Sequence, residues 1–383
     1  MADAELRVSS TKLQGFLPFP TWNGTVSAPD GDSRGLCSVL GAEGELVVLQ
    51  NSRNDECDSW LRVLKVLSPA VDKFSSFCQC WTRGAAVVAT AHDRSLTFYD
   101  SEDFRVLARL RLRYSVTAMD ITQRRRNGDG DDVEYMLVVG TSFGCFLYKV
   151  SLSSGLGAAQ VVEPVASAHK GVAVCMVKFS HDGSTAALGS LDGRLFMQRL
   201  NSHDDDALET FGSSVLSRVL AAPRVTSMSF SACSTKLVVA TRKGNVYVYT
   251  RVSETGQWQS LTSCQHLSAN PKPKAGGAAG VSKAATAAQT LVACWGPVFV
   301  VCSRVITSRL EVYDFDSGSL LRSLQVAPAT SAVLNQWVDQ QLVTGVCGWQ
   351  LPSGHWRLLC HDTSAKLAVV QWPFLDVIQA PLR

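Results

Sequence analysis

The sequence predicts an all-β protein, a single β-propeller of seven four-stranded blades. Three observations predict it: one strand-turn-strand segment recurs seven times, the copies follow one another at similar intervals, and no stretch keeps a helical period for long. The clearest copy, TAALGSLDGRLFMQRL from Thr185, has an apolar strand, a short polar turn and a second apolar strand. Periods of about 40 to 50 residues that hold about four short strands are typical of propeller blades.

The spacing of the copies fixes the number of blades. Alignment of the copies on the turn gives intervals of 50, 50, 49, 51, 64 and 57 residues. Six intervals of similar size indicate one structural unit repeated seven times around a ring. The aligned turn residues are Gly44, Arg94, Gly144, Gly193, Gly244, Ser308 and Ala365.

The residue types within each copy favour strands. Segments such as VVATA, MLVVG, KLVVAT and VYVYT are rich in β-branched and aromatic residues, and turn formers such as Asp-Gly and Lys-Gly-Asn separate them. Two hydrophobic runs joined by so short a polar turn predict a β-hairpin. Each copy therefore supplies two adjacent strands of one blade.

Composition excludes several classes of protein. Apolar residues make up 46% of the 383 residues and charged residues 18%, enough for a large buried core. The net charge of +3 gives no overall attraction to nucleic acid or membranes. The longest apolar run, Leu291 to Cys302, contains Gly296 and Pro297 and is shorter than the roughly 20 residues of a membrane span. We expect no membrane insertion.

Cysteine usage and the first residues predict the compartment. The twelve cysteines stand mostly singly within apolar runs, where a free thiol behaves as a small buried hydrophobe. Residues Met1 to Leu17 lack the long apolar core of a secretory signal. Reduced cysteines are typical of the cytosol, so we expect a cytoplasmic protein, with the nucleus as the alternative.

The best-formed copy resembles a WD40 repeat. From His169 the chain reads HKGVAVCMVKFSHDGSTAALGSLDGRLFMQRL, similar to the family's loop His, first strand ending in Phe-Ser, Asp-Gly turn and Gly-Ser-x-Asp. The resemblance implies that His169, Ser190 and Asp192 brace the blade by hydrogen bonds. The family's terminal Trp-Asp is replaced here by Gln198 and Arg199, so this chain is a divergent member at most. The resemblance implies a fold far more strongly than a function.

The predicted domain organisation has one propeller and two flanking segments. An N-terminal segment, 1–34, is expected to contribute a strand that closes the ring, because a circular array must join its ends. The propeller covers 35–375, and a tail covers 376–383. Charged or Ala/Gly/Lys/Pro-rich composition predicts insertions at 123–133 and 266–289.

Candidate catalytic and metal motifs have structural explanations. Gly140-Thr141-Ser142-Phe143-Gly144 matches the G-x-S-x-G of hydrolases by letter, but it falls in the turn between two repeat strands rather than before a helix. Cys78-x-Cys80 has the wrong spacing for a zinc site, and no phosphate-binding glycine motif occurs. We expect no enzyme activity, no cofactor and no metal.

The remaining hypothesis is a non-catalytic interaction scaffold. In a four-stranded blade the turn between the second and third strands lies on the same rim as the loops that link successive blades, and WD40 proteins commonly bind peptides there. Basic residues in this column would attract an acidic segment of a partner protein within a larger complex. The alternative is a propeller that binds phosphate or nucleic acid with the same rim and the Lys272–Lys283 segment. The predicted rim residues are Arg94, Arg194, Arg242, Lys243, Arg309 and Lys366.

Overall fold

The computed structural model confirms an all-β propeller. The described residues form strands and turns without a helix, and the strands assemble into seven sheets, which fits the predicted count of seven blades. Six of these sheets have four strands and one has five. The structure describes residues 8–12, 26–27, 36–40, 46–51, 61–67, 77–82, 86–125, 133–152, 160–161, 164–200, 211, 214–220, 224–242, 244–252, 255–261, 290–303, 309–325, 343–350, 356–362 and 366–372.

The chain begins with a strand of the last blade and then builds the first three blades in order. That strand is β1 (Val8–Lys12). Blade 1 contains β2 (Val26–Ser27), β3 (Leu36–Leu40), β4 (Leu46–Asn51) and β5 (Leu61–Leu67). Blade 2 contains β6 (Phe77–Trp81), β7 (Val87–His92), β8 (Ser95–Asp100) and β9 (Val106–Arg111). Blade 3 contains β10 (Val116–Arg125), β11 (Val133–Thr141) and β12 (Gly144–Ser151), followed by β13 (Gln160–Val161) and β14 (Ala166–Ala168).

The other four blades repeat the same order. Blade 4 contains β15 (Val174–Phe179), β16 (Thr185–Ser190), β17 (Arg194–Arg199) and β18 (Ser214–Val219). Blade 5 contains β19 (Val225–Phe230), β20 (Lys236–Thr241), β21 (Val246–Arg251) and β22 (Trp258–Ser260). Blade 6 contains β23 (Thr290–Trp295), β24 (Val298–Ser303), β25 (Arg309–Asp314) and β26 (Leu320–Gln325). Blade 7 contains β27 (Val343–Gln350), β28 (Trp356–Asp362), β29 (Lys366–Trp372) and the N-terminal β1.

Neighbouring strands within each blade are antiparallel, with one exception. Strand β13 leaves the connection between the third and fourth strands of blade 3 and pairs in parallel with β9, as a fifth strand on the outer edge of blade 2. The innermost strands β2, β6, β10, β15, β19, β23 and β27 lie side by side around the ring. Apolar side chains fill the spaces between adjacent blades from blade 1 to blade 6, so the described core is a series of separate interfaces rather than one central mass.

The aligned turn residues that the structure describes, Arg94, Gly144, Gly193 and Gly244, lie at the junction between the second and third strands of their blades. Gly44, Ser308 and Ala365 lie outside the described residues. Gly193 and Gly244 have φ angles of 85° and 89°, a left-handed conformation that glycine adopts without steric cost. Asp93 has a φ of 49° in the corresponding turn of blade 2, a conformation that Asp and Asn tolerate better than most residues. These turns explain why the repeat was visible in the sequence.

The innermost strands of blades 3, 4 and 5 each contain a β-bulge close to their first residue. At the bulge, one extra residue of the innermost strand has no partner on the second strand. Its side chain donates a hydrogen bond to the carbonyl oxygen of the first residue in the innermost strand of the following blade. Thr226 Oγ1, for example, lies 2.7 Å from the carbonyl oxygen of Thr290. The equivalent bonds are from Thr117 to Val174 at 2.5 Å and from Cys175 to Val225 at 3.3 Å.

The expected domain boundaries differ from the structure at the start of the propeller. Blade 1 begins within the predicted N-terminal segment, since its innermost strand is Val26–Ser27 rather than a segment after residue 34. A strand of two residues carries no periodicity that a sequence can reveal. The segment's other strand, β1, pairs antiparallel with β29, with Val8 opposite Val370 and Lys12 opposite Lys366.

The predicted insertions are partly outside the described residues. Strand β10 continues to Arg125 and β11 starts at Val133, so both edges of the insertion expected at 123–133 are paired strand. The charged composition suggested a loop here, but the residues at its edges form strand because their backbones pair across the hairpin. Residues 126–132, the insertion at 266–289 and the tail at 376–383 lie outside the described residues.

Candidate partner-binding rim

The turns between second and third strands join the linkers between blades into one surface, here called the linker rim. Backbone hydrogen bonds connect the described turns to neighbouring linkers and fix them in place. The turns of blades 2, 3 and 4 bond to the linker that follows the blade, and the turn of blade 5 bonds to the linker that precedes it. The pairs are Leu112 N to Arg94 O at 2.7 Å, Gly171 N to Phe143 O at 2.9 Å, Leu220 N to Gly193 O at 2.9 Å, and Arg242 N to Arg224 O at 3.0 Å.

Three of the predicted rim residues lie on this surface with exposed side chains: Arg94, Arg194 and Arg242. They belong to the turns of blades 2, 4 and 5 or directly follow them. The Arg194 guanidinium forms an ion pair with Asp192 of the same turn, with Nε 3.0 Å from Oδ2. This pair partly neutralises the charge that Arg194 could offer to a binding partner. Of the remaining predicted rim residues, Lys243 and the side chains of Arg309 and Lys366 lie outside the described residues.

The sequence alignment missed three further cations because it considered only the turns. Arg113, Lys170 and Arg224 lie in the linkers that precede the innermost strands of blades 3, 4 and 5. Burial, together with the nearby charge of Arg242, lowers the pKa of Arg224. The effect of Arg242 shows that two like charges lie close together on the rim. A search of the residues just before each innermost strand would have found all three.

On the opposite rim, two cations form ion pairs with acidic side chains of neighbouring blades. There, Arg251 Nη1 lies 3.3 Å from Asp182 Oδ2 and joins blade 5 to blade 4. Lys236 Nζ lies 2.5 Å from Asp316 Oδ1 and joins blade 5 to blade 6. On the linker rim, in contrast, neither Arg94, Arg113 nor Lys170 forms an ion pair within the described part of the chain. Within the described residues, the linker rim therefore exposes three cations that form no ion pair.

The linker rim also exposes apolar side chains in blades 3 and 4. Phe143, at the tip of the blade 3 turn, is 59% exposed, the highest value among the large hydrophobic residues whose burial is described, and Leu191 in the blade 4 turn is 41% exposed. The two turns bond to Gly171 and Ala173 respectively, so they flank the same linker. The Phe143 ring packs against Tyr114 with centroids 5.4 Å apart.

The hydrolase-like motif has no catalytic geometry. Ser142 is exposed in the turn between β11 and β12, so the segment joins two strands of one blade. A nucleophile elbow requires a strand followed by a helix, and here the second element is a strand. The Thr141 hydroxyl accepts a hydrogen bond from the amide of Phe143 at 3.1 Å, which stabilises the turn.

The three residues expected to brace blade 4 fall into two groups. The Ser190 hydroxyl contacts the Asp192 carboxylate and accepts a hydrogen bond from the amide of Arg194 at 2.7 Å. His169 lies at the linker rim with a φ of 54°, and its ring stacks on Phe196 with centroids 3.7 Å apart. Its Nε2 accepts a hydrogen bond from Gln198 Nε2 at 2.5 Å. Gln198, in the position of the missing Trp, is therefore the partner of this histidine.

Cys78 and Cys80 are buried core residues rather than metal ligands. Both side chains are 1% exposed on the innermost strand β6, where burial raises the pKa of each thiol and keeps it protonated. No group of three metal-ligating side chains was found in the ranges that the structure describes. Within the same ranges, no helix is long and apolar enough to cross a membrane.

Comparison with known proteins supports the fold. The sequence matches no protein-family model and no curated protein. Among solved structures, it is similar to the β-propeller domain of Cps50 (Swd1) from Myceliophteria thermophila, with 11% identity, a TM-score of 0.60, and coverage of 96% of this chain and 100% of that one. It is also similar to a chain of the mitotic checkpoint complex, with 10% identity, a TM-score of 0.61 and coverage of 97% and 96%.

These likenesses confirm the resemblance to WD40 propellers at the level of the fold. The chain is thus a β-propeller by fold, and in its described part the linker rim exposes basic side chains and one aromatic side chain.

Proposed function

We propose that the protein is a non-catalytic interaction scaffold that binds an acidic segment of a partner protein on its linker rim. The observation that carries the proposal is the contrast between the two rims. Arg94, Arg113 and Lys170 are exposed on the linker rim without an ion pair among the described residues, whereas Arg251 and Lys236 on the opposite rim are paired with acids of neighbouring blades.

Unpaired surface cations favour association with an acidic partner. Exposed charges of one sign steer an oppositely charged partner toward the surface and raise the association rate. Carboxylates also accept two parallel hydrogen bonds from one arginine guanidinium, which adds orientation to attraction. One of the structurally similar chains belongs to the mitotic checkpoint complex, and this likeness supports a role as a complex subunit.

The cysteines support residence in a reducing compartment. The nine described cysteines are free, and seven of them are buried. Burial raises the pKa of the Cys175 thiol to about 12, so it remains protonated at neutral pH. Free thiols are typical of cytosolic and nuclear proteins, and we propose the cytoplasm or nucleus for this chain.

Charge reversal of the linker rim tests the scaffold. Arg94, Arg113 and Lys170 are replaced together by Glu, and the variant is purified from cells in parallel with the wild type. The expected result is loss of at least one stoichiometric partner of the wild-type protein, identified by mass spectrometry and by co-elution on size exclusion. The matched control replaces Arg251 and Lys236 by Glu on the opposite rim. An unchanged set of partners in the linker-rim variant refutes the proposal.

The alternative function is direct binding of phosphate or nucleic acid by the same cations. It predicts an affinity for an oligonucleotide that falls steeply with salt, because each contacted phosphate releases condensed counterions. Fluorescence anisotropy with a labelled oligothymidylate between low and physiological salt distinguishes the two functions. A steep salt slope with no stable protein partner favours the alternative.

A further inference from the structure

The exposed apolar residues of the linker rim require an explanation beyond charge. Large apolar side chains this exposed are uncommon at turn tips, where polar residues are preferred. Phe143 occupies a position in the repeat that holds Asp192 in blade 4, where a small polar residue caps the turn. The turn itself does not need the phenyl ring, because its hydrogen bonds come from Thr141 and from the backbone of Phe143.

The phenyl ring is held in place by its neighbours. The centroid of the Tyr114 ring lies 5.4 Å from that of Phe143 and 5.0 Å from that of Phe146. The rings of Tyr114 and Phe146 are stacked, with 17° between their planes. The Arg113 guanidinium carbon lies 5.4 Å from the centre of the Tyr114 ring. A ring supported in this way loses little conformational freedom when a partner covers it, and this favours a binding role.

Basic side chains lie on both sides of Phe143 along the rim. Arg94 lies on the turn bonded to the linker of Arg113 and Tyr114, and Lys170 is next to Gly171, whose amide bonds to the carbonyl of Phe143. Arg94, Arg113 and Lys170 are exposed. An aromatic anchor flanked by arginines is the composition that dominates the centres of protein interfaces.

We propose that blades 2 to 4 of the linker rim bind an extended acidic peptide that carries one large apolar side chain. The apolar side chain packs against Phe143 and Leu191, and the flanking carboxylates pair with Arg94, Arg113 and Lys170. This inference rests on the proposed function and adds the sector of the rim and the sequence type of the partner segment.

A peptide fits these residues better than a nucleic acid base does. Sequence-tolerant nucleic acid binding uses aromatic rings as stacking platforms for successive bases. Here the Tyr114 ring already contacts Phe143, Phe146 and Arg113, and the exposed neighbour across the linker is the aliphatic Leu191. One ring and one aliphatic side chain match an apolar side chain of a peptide.

Selection from a random-peptide phage library tests the inference. The full-length protein is panned, and the enriched sequences are compared with those from the Phe143→Ser variant. We expect enrichment of peptides in which Asp and Glu flank one Phe, Leu, Ile or Met, and loss of this enrichment with the variant. The absence of enrichment, or enrichment of peptides without acids or without an apolar residue, overturns the proposal.

Affinity measurements on one enriched peptide separate the apolar and charged contributions. Phe143→Ser should weaken its binding by about tenfold or more, as for an anchor residue of an interface. Leu320→Ser is the matched control, because Leu320 is 48% exposed on the outer strand of blade 6 and should leave binding unchanged. Equal affinity of wild type and Phe143→Ser overturns the proposal, provided that thermal unfolding shows both proteins folded.

The outcomes distinguish this inference from the proposed function. If the triple charge reversal abolishes partner binding but Phe143→Ser does not, the rim binds an acidic partner without the anchor, and only the further inference fails. If neither change affects partners, both fail. Binding of an oligothymidylate that is lost with Phe143→Ser, in the absence of peptide enrichment, overturns the inference in favour of nucleic acid.

Discussion

Replacement of Gly189 by Ala tests the close contact between blades 4 and 5. Gly189 lies on β16 opposite the bulge at Cys175, and the innermost strand of blade 5 passes directly against it. A Cβ at this position would lie 2.7 Å from both Cβ and Cγ1 of Val225 and 3.1 Å from its Cγ2. Separations below about 3 Å are repulsive, and Val225 is fully buried, so it has no space into which to move.

The expected cost follows from two opposing contributions. Overpacking of a well-packed core costs about 1–3 kcal/mol. Replacement of glycine by alanine in a compatible conformation stabilises the folded protein by about 0.4–1 kcal/mol, because it reduces the conformational entropy of the unfolded chain. From the central values of these two ranges, the free energy of unfolding should decrease by about 1.3 kcal/mol. Urea denaturation followed by tryptophan fluorescence measures the change.

A double-mutant cycle isolates the contact. Val225→Gly removes all three crowding atoms, whereas Val225→Ala would leave the Cβ at 2.7 Å. Although Val225→Gly is itself destabilising, the addition of Gly189→Ala to it should be neutral or stabilising, because the introduced methyl group now enters free space. Equal destabilisation by Gly189→Ala on both backgrounds, or none in the wild type, would refute the reasoning.

Two further predictions concern ionisable side chains. Burial lowers the pKa of His169 below its ordinary value, so protonation favours the unfolded state and stability should fall as the pH decreases through about 6.5. Thermal unfolding between pH 7.5 and 5 should therefore show a steeper loss for the wild type than for His169→Asn, and parallel profiles would contradict this. Partial burial raises the pKa of Cys233, but hydrogen bonds involving Ser231 and Thr235 outweigh it and lower the pKa overall. Iodoacetamide should accordingly alkylate exposed Cys233 before buried Cys175 in the folded protein, as measured by peptide mass spectrometry, whereas equal rates would contradict the assignment.

The sequence predicted those parts of the fold that depend on local chemistry. Gly193 and Gly244 have positive φ angles in tight turns, and flanking β-branched residues fill the buried faces of the hairpins. Both signals are local, so seven copies could be aligned without knowledge of any long-range contact. The innermost strand of blade 1 had no such signal, because Val26–Ser27 is only two residues long.

The candidate site was predicted only in part for a similar reason. The turn column located Arg94 and Arg242, but Arg113 and Lys170 lie in linkers that do not align between blades. Their proximity to the turns depends on backbone hydrogen bonds between turn and linker, which only the folded ring creates. The same applies to Gln198, which meets His169 across 29 residues of sequence.

The pairing of β1 with β29 makes completion of the ring depend on both ends of the chain. Val8 and Val370 face each other in one sheet, so blade 7 cannot be completed during synthesis until the last of its strands has left the ribosome. Blades 1 to 6 each take their four antiparallel strands from one stretch of the chain and can form earlier, as hairpins with local contacts. Until then, β1 lacks β29, the strand with which it pairs in blade 7. Ring closure therefore cannot precede the synthesis of β29.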